Sequence, residues 1–61
     1  MKYAIYFTWG DKEKDSFNVS SAKERDMNIK DMLSRKNEFN SISYCPIYKN
    51  GDYGTRINVK M

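Results

Sequence analysis

The only thiol of the chain, Cys45, lies in the stretch Tyr44-Cys45-Pro46-Ile47-Tyr48-Lys49-Asn50-Gly51-Asp52-Tyr53-Gly54-Thr55, and no histidine occurs anywhere. A thiol nucleophile needs a base, commonly histidine, to draw off its proton, so a Cys–His pair is excluded. The commonest general base of enzyme chemistry is also missing. Arg56, placed across the strand from Cys45, is the one nearby group that could favour a thiolate. One thiol without imidazole cannot build a zinc centre of the usual nitrogen and sulfur ligands. Asp11-x-Glu13-x-Asp15 alternates carboxylates, but it lacks the longer loop and closing glutamate of a calcium site, and two lysines interrupt it. Asn18-Val19-Ser20 matches the glycosylation triplet. With no secretory leader, the match is read as chance. The three glycines are scattered and form no phosphate loop. The expectation is therefore a protein without catalysis, cofactor or metal.

Binding is the remaining class of function, and it depends on which elements present side chains to a partner. Lys2 to Trp9 alternates, with Tyr3, Ile5, Phe7 and Trp9 on one side and Lys2, Ala4, Tyr6 and Thr8 on the other. Period two with aromatic and β-branched residues predicts a strand. Gly10 to Asp15 reads as a polar turn, and Ser16 to Val19 as a short second strand completing a hairpin. Ser21-x-x-Glu24 has the form of a capping box opening a helix. Ala22, Ile29 and Leu33 form the expected core stripe, with Met32 at its edge and Asp26 on the same line. Met27 points almost the opposite way. The helix is expected to end near Lys36, where Arg35 and Lys36 suit its negative end.

A third strand is expected from about Phe39 to Tyr48 and a fourth from Tyr53 to Met61. Asn50-Gly51 between them suits a two-residue turn with positive φ at both positions. That turn pairs Tyr48 with Tyr53, Pro46 with Thr55, Tyr44 with Ile57 and Ile42 with Val59 on one face. Cys45 with Arg56, Ser43 with Asn58 and Ser41 with Lys60 fall on the other. In this register the missing N–H of Pro46 points away from the fourth strand, which is tolerable if the third strand is a sheet edge. The expected fold is a single α+β domain over residues 1–61, of ββαββ order, with sheet order 2-1-4-3 and the helix on one face.

The bulk properties agree with a small binding domain. A chain of 61 residues buries only about 60% of the surface that its unfolded form exposes. With one cysteine and no histidine, the supports left are a partner subunit, as in a homodimer, or an idealised core, which the nine aromatic residues favour. Net charge is +3, with basic and acidic residues interleaved as on a solvated surface. The longest apolar run, Tyr3 to Phe7, is too short to span a membrane. An unpaired thiol suits the cytoplasm. Starting at Met1, the chain reads as a whole gene product. Six asparagines against two alanines hint at an AT-rich genome, such as that of a low-GC bacterium or its phage.

One helix covers one sheet face, so the other face carries the functional expectation. Tyr6, Cys45, Ile47, Arg56 and Lys60, with Met27 as a separate anchor on the helix, form the expected interaction surface. The protein is read as a small interaction module, in the manner of a phage or mobile-element accessory protein that modulates a larger host protein. The alternative is nucleic-acid binding, with Tyr6 stacking on bases and Lys2, Arg56 and Lys60 holding phosphates.

Overall fold

The computed structural model describes residues 1–61. Four strands and one helix follow in the expected ββαββ order: β1 (Lys2–Trp9), β2 (Glu13–Val19), α1 (Ala22–Ser34), β3 (Ser41–Ile47) and β4 (Ile57–Asn58). A 3-10 turn at Lys36–Glu38 joins α1 to β3. Every neighbouring pair of strands is antiparallel. The chain is a small α+β fold with α1 packed on one face of a four-stranded sheet.

The alternation in β1 decides which side faces the helix. Ile5 is fully buried and centres a core with Val19, Ile29, Met32 and Ile42. Phe7 gathers a ring cluster, stacked on Trp9 and meeting Phe17 and Phe39 edge-on. Such edge-on pairs add to simple area burial. β2 begins at Glu13, earlier than expected, because the turn is confined to the residues between Trp9 and Glu13. Gly10 and Lys12 both take positive φ there, 57° and 78°. The charged run Glu13-Lys14-Asp15 is thus strand rather than loop. Its backbone pairs with β1 while its side chains stay in water, as an edge strand permits.

Ser21 caps α1 as expected, its hydroxyl accepting the Glu24 N–H at 3.2 Å. The Glu24 carboxylate reaches one residue further back than a capping box requires and takes the Ser20 N–H at 3.3 Å. The core stripe is rotated from the expected one. Ile29 and Met32 are buried and Leu33 packs beside them, but Ala22 and Asp26 are exposed. Arg25 occupies the core side of the first turns instead. Its guanidinium lies 4.6 Å from the Tyr3 ring centroid and 4.9 Å from that of Tyr44. A long side chain of this kind covers aromatic surface while its charged end, paired with Asp26, stays near water. The helix stops at Ser34, two residues short of Lys36.

Sheet order is β2-β1-β3-β4, not the expected 2-1-4-3: β3 lies inside the sheet, between β1 and β4. The cause is one residue in the loop. Tyr48 donates to the Asp52 carbonyl, and Gly51 donates to the Tyr48 carbonyl. The connection is therefore three residues with Gly51 at φ 90°, while Asn50 keeps negative φ. The extra residue reverses which β3 residues face β4. Pro46 accepts from the Gly54 N–H at 2.8 Å, and Ile42 accepts from Val59 at 2.9 Å. Residues of the Pro46 parity thus point toward β4, and those of the Cys45 parity bond to β1. The missing Pro46 N–H falls on the β4 side and costs β1 nothing, so β3 can be central.

The same residue shortens β4. Ser43↔Asn58 and Tyr44↔Ile57 pair as expected, but Ile47 pairs with Tyr53. The surplus position is absorbed over Gly54 to Arg56 as an interruption of the ladder. A Cβ on Gly54 would stand 2.6 Å from Pro46 Cγ and 2.8 Å from the Tyr48 hydroxyl, so only glycine fits.

Candidate functional site on the open sheet face

The face away from α1 is built from cross-strand rows. Thr8 stands between Lys14 and Ser41; Tyr6 stands between Ser16 and Ser43, with Asn58 beyond; Ala4 stands between Asn18 and Cys45. At the far end Ile47 neighbours Lys2 and Tyr53. One end of the face is thus hydroxyl-rich and basic, and the other is apolar.

Between them sits a stack contributed by three segments. The Arg56 guanidinium lies 3.8 Å from the Tyr6 ring centroid. The Tyr6 hydroxyl lies 3.8 Å from Cys45 Sγ. Ala4 and Cys45 are 1% and 3% exposed although no helix covers this side. Burial pushes the Tyr6 phenol above its ordinary pKa, the Cys45 contact adds to the rise, and Arg56 opposes it.

The expected surface residues therefore divide. Tyr6 and Arg56 are brought together, and Ile47 lies half-buried on the same face. Arg56 does not stand opposite Cys45; it lies in the interrupted stretch before β4 and reaches Tyr6 instead. Lys60 is exposed beyond β4. Cys45 is 3% exposed, its sulfur lying against the Tyr6 hydroxyl rather than open on the face. Met27 is exposed on the side of α1 turned from the sheet, remote from the others. Asp11 lies in the first turn and Glu13 and Asp15 on β2, and no three such groups gather as a metal site.

Thr8, Ser41 and Ser43 share a parity that marks a hydroxyl row, but its β2 half is hidden when Lys14 reads as turn and Ser16 as the start of a strand. Thr8 Oγ1 and Ser41 Oγ are hydrogen-bonded at 2.7 Å. All three ion pairs of the protein lie on or beside the helix, at Arg25–Asp26, Arg35–Asp31 and Arg35–Glu38. Lys2, Lys14, Arg56 and Lys60 are left without carboxylate partners. No helix is long and apolar enough to cross a membrane. Comparison with known proteins gives no match to a family model, a curated protein or a solved structure.

Proposed function

We propose that the protein is a non-catalytic interaction module that receives an extended segment of a larger protein along its β4 edge. The observation that supports this reading is the contrast between the two sheet edges. β2 guards its edge with exposed Glu13, Lys14 and Asp15, while Phe17 and Val19 turn inward. Beside β4 the large side chains Tyr53, Ile57 and Met61 are all exposed, and the ladder there is two residues long. An edge left open and apolar is one that a further strand can join. Arg56 and Lys60 alternate with the apolar positions, so the segment that fits alternates apolar and acidic residues.

A second copy of the chain is the other occupant of this edge, and a homodimer would add buried surface to a protein of this size. The buried free thiol suits a cytoplasmic setting. The reading of a phage-like accessory that modulates a host protein rests on association with size and composition, not on a site. A nucleic-acid reading draws on the unpaired cations of the sheet face, but the Tyr6 ring is already covered by Arg56.

The test compares wild type with Ile57→Asp as bait in cell lysate, with and without nuclease, beside sedimentation of each alone. A defined protein retained by wild type and lost by the variant supports the edge. A dimer lost by the variant identifies the second copy as occupant. Retention unchanged by the substitution refutes the edge, and material lost on nuclease treatment or at raised salt favours nucleic acid.

A further inference from the structure

The hydroxyl-rich end of the open face encloses a depression of about 400 Å3 lined by Thr8, Lys14, Ser16, Ser41, Ser43 and Arg56. We propose that it binds a single phosphoryl group, as free phosphate or as a phosphomonoester. This site shares Arg56 with the β4 edge, but its hydroxyl donors lie on β1, β2 and β3 and do not depend on occupation of that edge.

Ser43 carries the inference. It is 8% exposed, yet its hydroxyl takes no part in the side-chain hydrogen bonds of this face, which join Tyr6 to Cys45 and Thr8 to Ser41. No fully buried side-chain nitrogen or oxygen lacks a partner, so the Ser43 oxygen must open onto the depression it lines. The Ser43 oxygen, open to the depression and without a protein partner, is available to donate to or accept from an outside group. Thr8 and Ser41 share one hydrogen bond, and the hydroxyl that accepts it keeps its own hydrogen to donate.

Two cations complete the donor set. Arg56 lies over Tyr6, 3.8 Å from its ring centroid, and a guanidinium carries five N–H donors, more than one contact with Tyr6 can use. Lys14 has no ion-pair partner. The one carboxylate at the depression, Asp15, accepts the Ser16 N–H at 2.7 Å and pairs in register with Phe7, whose side chain packs into the opposite face. The balance at the depression is positive. Several hydroxyl donors with a guanidinium and an ammonium around one hollow match a tetrahedral dianion. A nucleic-acid strand would also need an open ring for stacking, and Tyr6 is covered.

The test is a titration of the 15N-labelled protein with inorganic phosphate at constant ionic strength, with chloride as the control anion, followed by O-phosphoserine and a short single-stranded oligothymidylate. Saturable shifts at Thr8, Ser16, Ser41 and Ser43 are expected with phosphate and not with chloride. Arg56→Gln is expected to weaken binding by about tenfold, and Ser43→Ala to weaken it while the rest of the spectrum is kept. Ile57→Asp is expected to bind phosphate as wild type does, which separates this site from the edge. Tighter binding of phosphoserine than of phosphate supports a monoester ligand, and the reverse supports free phosphate. Absence of saturable shifts up to about 50 mM phosphate, or a chloride response of equal size, overturns the proposal. An oligonucleotide that binds more tightly than either through the same residues also overturns it, in favour of a strand.

Discussion

The Arg56 guanidinium lies over the Tyr6 ring, 3.8 Å from its centroid, and that ring's hydroxyl lies 3.8 Å from Cys45 Sγ. One residue comes from the interrupted stretch before β4, one from β1 and one from β3. The stack closes part of a sheet face that no helix covers. It also explains how a thiol on that face is 3% exposed.

Ellman's reagent is expected to modify Cys45 in the native protein only as fast as the sheet opens. Tyr6→Ala removes the side chain whose hydroxyl meets the sulfur and is expected to speed modification by about tenfold or more. Arg56→Ala, which leaves the ring in place, is expected to have a smaller effect. Equal rates in wild type and Tyr6→Ala would show that the stack does not shield the sulfur.

Tyr6 also gives a pH dependence. Its pKa in the folded protein is raised above the ordinary tyrosine value of 10.0, first by burial and then by Cys45. The folded state therefore holds the phenolic proton more tightly than the unfolded state does. The resulting stability is fully present below the ordinary value and is lost as pH rises through the raised one. Urea midpoints measured on the alkaline side should fall with pH, and fall less steeply in Tyr6→Phe. Absorbance titration should show one late-ionising tyrosine in wild type that the variant lacks.

Core substitutions should be severe. Ile42 is almost wholly buried among Ile5, Val19, Ile29 and Met32. Ile42→Ala is expected to cost about 2–5 kcal/mol, and Ile42→Val about 0.5–1.5 kcal/mol. In a protein this small the alanine variant should be largely unfolded without denaturant, as circular dichroism would record. Met27→Ala, on the exposed side of α1, should lie within about 0.5 kcal/mol of wild type.

Gly54→Ala should disturb the β3–β4 hairpin in particular. The added methyl would meet the Pro46 ring, which cannot rotate away, and the Tyr48 hydroxyl. A cost of about 1–3 kcal/mol is expected. Amide exchange should accelerate at Tyr48 and Val59, whose N–H groups close the hairpin on either side of the interruption. Exchange on β1 should change much less.

Several features were legible because neighbouring residues encode them. The alternation of Lys2 to Trp9 needs no knowledge of the rest of the chain. The Ser21 cap rests on a residue three positions away. The pairs Ser43↔Asn58 and Tyr44↔Ile57 follow from a turn and two alternating arms. Parity alone puts Tyr6 and Arg56 on the open face.

What the tertiary structure decided depends on partners distant along the chain. A loop one residue longer than Asn50-Gly51 suggests turned the Pro46 nitrogen toward β4, and that let β3 enter the middle of the sheet. There it could bury Ile42 on one face and Cys45 on the other, next to β1. Arg25 joined the core side of α1 because two tyrosine rings from different strands converge beneath it. The hydroxyl hollow exists only because β2 and β3 flank β1. Local backbone preference acts between near neighbours, whereas strand order is settled by which apolar surfaces meet, and no short window of sequence contains that choice.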